Sequence, residues 1–157
     1  MYHLELSTHF SAAHALVIRG WREPLHGHDW HVTVRLEGPA LDNDGLLCDF
    51  HHVLALLAEV VTPFQNANLN DAAPFSRGVN PSAEQVARHI AEALSERLET
   101  RGGNEPKDVA GSRAGESGGP GVRTFAPLAS VRVASVRVTE AVGCAATYIC
   151  PVVPDPQ

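Results

Sequence analysis

His14, His26 and His28 are the residues of this chain whose type and spacing most directly imply chemistry. His14 closes Phe10-Ser11-Ala12-Ala13-His14, and the other two stand in Leu25-His26-Gly27-His28-Asp29-Trp30-His31. Neutral imidazole is a good ligand for Zn²⁺, and three protein ligands plus a water or substrate oxygen is the usual catalytic arrangement, whereas structural zinc takes four protein ligands. Spacing alone fits ordinary surface or core histidines as well as it fits ligands. Periodicity favours ligands. On a strand over residues 2–14, Leu4, Leu6, Phe10, Ala12 and His14 share one face; on a strand over 28–37, His28 shares its face with Trp30, Val32, Val34 and Leu36. His26 joins that face if the strand begins early enough. Imidazoles at the end of an apolar face are hard to explain as solvated groups, and a ligand role accounts for them. Zn²⁺ is the expected ion, and imidazole ligands also suit iron, nickel and copper.

These ligands need elements to hold them. After the two strands and a connector over about residues 15–27, the apolar set Phe50, Val53, Leu54, Leu57, Val60 and Val61 recurs at helical spacing, with Asp49 as N-cap and Pro63 as the stop. A second helix is expected to open at Asn80-Pro81, run through Val86, Ile90, Leu94 and Leu98, and stop at Arg101-Gly102-Gly103. Residues 102–127 are rich in Gly, Pro, Ser and charge with no apolar period, which reads as a mobile insertion. Residues 131–140 and 145–150 read as strands joined by a turn near Gly143. The apolar parity changes between Val133 and Val136, which fits a bulge or two short strands. The order is ββααββ, an α+β fold with a four-stranded antiparallel sheet and two helices on one face.

With 157 residues and 44% hydrophobic content the chain reads as a single domain over residues 1–157, with enough apolar surface for a real core. The net charge of −6 argues against nucleic acid as the main partner. No apolar run approaches the roughly eighteen residues of a membrane span, and Met1-Tyr2-His3-Leu4-Glu5 lacks the features of a secretion signal, so a cytoplasmic protein is expected. Cys48, Cys144 and Cys150 are odd in number and share no C-x-x-C spacing, so they read as small apolar residues rather than a disulfide or zinc framework.

Several motifs in order resemble the 6-pyruvoyl-tetrahydropterin synthase and 6-carboxy-tetrahydropterin synthase family. They are Phe10-x-Ala12-Ala13-His14, Leu25-His26-Gly27-His28, Gly45-Leu46-Leu47-Cys48-Asp49-Phe50, Leu69-Asn70-Asp71, Asn80-Pro81-Ser82-Ala83-Glu84 and Val138-Thr139-Glu140. The resemblance implies the tunnelling fold (T-fold), in which trimers of the ββααββ unit close a barrel that commonly stacks into a homohexamer. It implies Zn²⁺ on His14, His26 and His28, and Glu140 as the carboxylate that binds the pterin ring through its amino and N–H groups, a pairing that suits a bidentate acceptor. It also implies a zinc-dependent carbon–oxygen lyase acting on dihydroneopterin triphosphate or a related pterin.

The chain departs from the family pattern where protons are moved. The family's general-base cysteine, four residues before the first histidine of H-G-H, is Arg22 here, and Gln65 and Asn66 stand where an Asp-His pair is expected. Neither an amide nor a guanidinium serves as a base near neutral pH. Glu23, three residues before His26, is the nearest titratable substitute and the candidate general base, with a solvated loop charge as its alternative role. The reaction is therefore expected to differ from the familiar one, and the competing reading is a zinc- and pterin-binding homologue without turnover. A cupin reading is weak, because His31 stands where the cupin glutamate belongs. His31 should face away from His28 on an unbroken strand. His51 and His52, being adjacent, cannot both face one metal, and His3, His9 and His89 lack a partner motif.

Overall fold

Two long strands carry the architecture. β1 (Tyr2–His14) and β4 (His26–Gly38) pair antiparallel along their whole length, from Tyr2 opposite Gly38 to His14 opposite His26. The computed structural model describes residues 1–102 and 131–152. Alternation along β4 is clean: Trp30, Val32, Val34 and Leu36 are fully buried, while Asp29, His31 and Arg35 are exposed. The strand begins at His26, so His26 does join the face of His28.

Between these strands the connector contains a small hairpin that the sequence reading did not anticipate, β2 (Val17–Ile18) paired with β3 (Trp21–Arg22). Its turn, Arg19-Gly20, has positive φ at both residues (51° and 85°), the geometry that suits a two-residue hairpin loop. β5 (Ala67–Asn68) adds a short parallel edge to β1, while β6 (Arg132–Ala141) and β7 (Cys144–Ile149) extend the other side. The sheet therefore has five strands in the order β5-β1-β4-β6-β7 rather than four, because the segment after the first helix returns to the β1 edge.

The parity change in the late strand is a bulge within one continuous strand. Arg35 lies opposite Ser135 and Leu36 opposite Val133, which leaves Ala134 as the extra residue. Val133, Val136 and Val138 consequently all point into the core. The ladder shifts again between Thr139 and Ala141, at Glu140, where β6 approaches the histidine end of β4.

The helices α1 (Phe50–Val61) and α2 (Ala83–Gly102) cover the buried face of the sheet. Asp49 caps α1 by accepting the His51 N–H at 2.8 Å, and a 3₁₀ turn over Thr62–Phe64 containing Pro63 follows its end. Val53, Leu56, Leu57 and Val60 of α1 and Val86, Ile90, Ala91 and Leu94 of α2 meet Phe10, Trp30 and the β4 and β6 valines in one core. Each such side chain fully removed from water contributes about 1.5–3 kcal/mol. The second helix starts later than expected. Ala83 is its first residue, the Gln85 N–H donates to Ser82 Oγ at 3.4 Å, and Asn80 and Pro81 remain outside the helix with other tasks. Of the segment 102–127, expected from composition to be an insertion, Gly102 ends α2 and the rest lies outside the described residues. Among the described residues, no helix is long and apolar enough to cross a membrane.

Candidate metal centre

The antiparallel register brings the three histidines together. His14 is the last residue of β1 and faces His26, the first of β4, while His28 faces Ala12 one step along the same face. Their ring centroids are 4.7 Å (His14–His26), 4.8 Å (His26–His28) and 5.3 Å (His14–His28) apart. Trp30 forms the floor: its fully buried indole stands edge-on to His14 at 4.8 Å and to His28 at 5.9 Å, and stacks on Phe10. Trp30 Nε1 donates to the Ala12 carbonyl at 3.1 Å, so its one polar group is satisfied and the platform is rigid.

Two of the rings are oriented from behind by backbone carbonyls. His14 Nδ1 lies 2.8 Å from the Pro81 carbonyl and His26 Nδ1 lies 2.9 Å from that of Pro24. A carbonyl only accepts, so each Nδ1 must carry the proton and each Nε2 must present its lone pair, as metal-ligating histidines do when their other nitrogen is held by an acceptor. Pro81, expected to open a helix, instead supplies the acceptor that sets the tautomer of His14.

His14 Nε2 and His28 Nε2 are buried and have no hydrogen-bond partner among the described residues. Buried polar atoms without partners are uncommon and mark a place suited to a water or an ion. Glu140 closes the group, with Oε1 3.5 Å from His14 Nε2 and 3.3 Å from His28 Nε2. The candidate ligand atoms of His14, His26, His28 and Glu140 all lie within 4.8 Å of one another. In a tetrahedral shell with bonds of about 2.0–2.1 Å, neighbouring ligand atoms sit roughly 3.3 Å apart, close to the Glu140 separations from His14 and His28, and the imidazole-rich donor set suits a divalent ion such as Zn²⁺. The pKa of His28 is lowered, chiefly by burial; Glu140 opposes the shift, and His14 and His26 add to it. A lowered value keeps its ring neutral and able to coordinate.

The chain leaving His14 has little strand pairing of its own, and three side chains hold its backbone. Asn70 clamps Ala15 at both N–H and C=O (2.8 and 2.9 Å), and Asn80 clamps Val17 in the same way (2.9 and 3.2 Å). Between them the Leu16 N–H donates to Glu23 Oε1 at 2.8 Å, and the Glu23 N–H donates to the Leu16 carbonyl at 3.0 Å. Residues singled out as motif members, a helix opener and a base thus share one positional task. Glu23 Oε1 also stands 3.9 Å from His26 Nδ1, approaching that ring from the edge that faces away from its Nε2.

Gln65 and Asn66 belong to the neighbouring edge. Gln65 Oε1 accepts from the Ser11 N–H at 3.4 Å, and the Asn66 N–H donates to the Ser11 carbonyl at 2.6 Å. Asn66 lines an open cleft of about 520 Å³ together with Ser11, Gly27, His28, Asp29 and Asn68. None of the three cysteines supplies the missing base. Cys48 is buried in the core, with its thiol pushed up to about 11 by burial and by the adjacent Asp49. Cys144 is exposed at the start of β7 and Cys150 follows its end, with its thiol also raised by burial. His31 is exposed on the opposite face, as alternation requires, and His51 and His52 lie at the start of α1.

A family model described as 6-pyruvoyl tetrahydropterin synthase matches residues 3–110. The chain belongs to this family. It is 30% identical over 92 residues, 59% of this chain and 75% of the relative, to an Archaeoglobus fulgidus protein provisionally named 6-carboxy-5,6,7,8-tetrahydropterin synthase. The fold matches the 6-pyruvoyl tetrahydropterin synthase of Caenorhabditis elegans with a TM-score of 0.67 at 18% identity, covering 96% of each chain. It also matches the Plasmodium vivax enzyme with a TM-score of 0.59 at 19% identity, covering 97% of this chain and 100% of the other. The P. vivax enzyme has also been solved as a variant in which a glutamate described as a catalytic residue is replaced by alanine, and that structure matches with a TM-score of 0.59 at 18% identity. At these identities the solved structures speak for the T-fold, while the family assignment rests on the sequence match. His14, His26, His28 and Glu140, which the motifs single out, lie together in this chain, while Arg22, Gln65 and Asn66 stand where a cysteine and an Asp-His pair are expected.

Proposed function

We propose that this family member is a zinc-dependent lyase acting on dihydroneopterin triphosphate or a related pterin, with His14, His26 and His28 holding the ion. The observation that carries the reading is the convergence of oriented imidazoles on a space where two buried Nε2 atoms have no partner among the described residues. Zn²⁺ bound there supplies Lewis acidity toward oxygens of the substrate side chain. Glu140 anchors the pterin edge through its carboxylate, whose Oε1 is already aimed at the centre. Glu23 takes the proton from the substrate side chain, in place of the family's cysteine. Its support is its titratable carboxylate near His26 and the catalytic glutamate described for the P. vivax relative; because Oε1 holds the Leu16 N–H on the Nδ1 side of that ring, the role requires the carboxylate to turn toward the centre. Because Arg22, Gln65 and Asn66 replace the usual proton-transfer groups, the bond broken is expected to differ from the family's triphosphate elimination.

Assembly follows from the sheet. Among the described residues, β7 pairs only with β6, and β5 covers only Ala12 and Ala13 of β1. Two open edges on one sheet invite closure by further copies, and we place the chain in a trimeric barrel that stacks into a homohexamer. A cytoplasmic location, with no nucleic acid or membrane partner, completes the reading.

A second reading is a zinc- and pterin-binding homologue without turnover. Glu140 favours it, because a carboxylate 3.3–3.5 Å from two ligand nitrogens is placed to act as a fourth ligand and close the shell. Zinc-loaded protein incubated with dihydroneopterin triphosphate and related pterins, with products separated by chromatography, decides between the readings. New pterin products support the lyase, whereas calorimetric binding without products assigns the homologue. Glu23→Gln then tests the base: loss of turnover with zinc and pterin binding retained supports its role, and an unchanged rate removes it.

A further inference from the structure

The helix-covered face of β1 and β4 is accounted for by the core and the metal centre. Their opposite face carries a ladder of polar residues in direct cross-strand register. His3 faces Glu37 with Nδ1 and Oε2 3.6 Å apart, Glu5 faces Arg35 at 3.3 Å, and Ser7 faces Thr33 at 3.4 Å. Farther along, Ser11 donates its hydroxyl to Asp29 at 2.5 Å. Each of these rungs joins chemically complementary groups, the way cross-strand pairs stabilise a sheet.

One rung breaks the pattern. Between Ser7–Thr33 and Ser11–Asp29, His9 lies directly opposite His31, like against like, with ring centroids 6.1 Å apart and planes inclined at 38°. Both residues are exposed, and neither imidazole has a hydrogen bond or ion pair among the described residues. Two protonated imidazoles here repel, whereas two neutral ones each offer a lone pair. A divalent transition cation turns that mismatch into a chelate. Two imidazoles sharing Zn²⁺ through bonds of about 2.0–2.1 Å have centroids about 5–6 Å apart, which exposed rings reach by a small side-chain rotation. The charged groups on this face close to the pair are Asp29, one rung along β4, and Arg137, which β6 places opposite Thr33. Asp29 offers carboxylate oxygen to a cation, while Arg137 opposes one, so imidazole affinity rather than net charge selects the ion.

We propose that His9 and His31 form a second site for an imidazole-preferring divalent cation such as Zn²⁺, independent of the His14, His26 and His28 centre. Equilibrium dialysis of the full chain against Zn²⁺ at mildly alkaline pH, with bound metal quantified by elemental analysis, tests it. The unaltered protein is expected to bind two ions per chain. His9→Gln and His31→Gln are each expected to bind one, with unchanged circular dichroism, because both side chains are exposed. His3→Gln, which alters an exposed histidine on the same face, is expected to keep two. His14→Gln is expected to retain one ion, which disappears when His31→Gln is added. A single ion that His14→Gln abolishes and His31→Gln leaves in place, or two ions retained by either His9→Gln or His31→Gln, overturns the site, whereas a single ion that only His9→Gln or His31→Gln abolishes supports it and counts against the His14 centre instead.

Discussion

β1 and β4 present two faces that use histidine in opposite ways. On the helix-covered face, His14 is fully buried, its Nδ1 is held by the Pro81 carbonyl, and its Nε2 is left without a partner among the described residues. On the other face, His9 and His31 are exposed, opposed and free to rotate. The strands, the pairing and the residue type are the same. What differs is burial and the acceptor behind each ring, and those decide whether an imidazole is a pre-oriented ligand or an adaptable surface group. Histidine content is therefore a poor guide to chemistry, and its environment a good one.

The comparison breaks most severely at the floor of the buried face. Trp30→Ala removes the platform under His14 and His28 and is expected to destabilise the fold by about 3–5 kcal/mol in urea denaturation. His31→Ala on the open face should change metal-free stability by no more than about 0.5 kcal/mol. Equal losses at the two positions would remove the distinction between the faces.

Next in size is the clamp behind His14. Asn70→Ala strands the Ala15 N–H and carbonyl, with an expected stability cost of about 1–3 kcal/mol. It should also weaken metal binding at the His14 centre by about 10–100-fold, as loss of supporting groups behind ligands typically does. Retention of full affinity, measured by competition with a chromophoric chelator, would show that β1 alone positions His14.

Acid acts more gently, through two half-buried histidines. Burial lowers the pKa of His28, and it also lowers that of His89, which packs against Phe64 and Phe75. As pH falls below the ordinary 6.5, the unfolded chain takes up protons before these folded rings do. The metal-free protein is therefore expected to hold this stability above pH 6.5 and to lose it progressively on acidification below that value. His89→Phe should flatten the profile, and an unchanged slope would place the proton uptake elsewhere.

The smallest effect expected lies on the open face. Ser7→Ala removes one solvent-exposed rung at 3.4 Å and should shift the denaturation midpoint by less than about 0.5 kcal/mol in free energy. A larger loss would mean that the ladder itself holds β1 to β4.

Much of this arrangement is legible in the residue order. Alternation along residues 2–14 and 28–37 identifies the buried face and sends His31 away from the ligands, because side-chain direction in a strand has a period of two. The parity break between Val133 and Val136 leaves a bulge or two short strands open, and the structure contains the bulge. Helical periodicity locates both helices, although Asn80-Pro81 misleads about the start of the second. A capping residue followed by proline is a local signal, and here Asn80 is claimed by Val17 and the Pro81 carbonyl by His14. The β2–β3 hairpin and the β5 edge escape notice because two-residue strands have too few positions to display a period.

The amino-acid order by itself determined the candidate ligand types, the two faces of the long strands and the family, since these depend on local periodicity and on motifs that survive without coordinates. Only the tertiary structure decided that His14 meets His26 across the register, that Glu140 reaches the same space from β6, and that carbonyls from distant turns orient the rings. The reason is physical: a backbone carbonyl exists at every residue, so sequence does not mark the few that a fold brings within hydrogen-bonding distance of an imidazole.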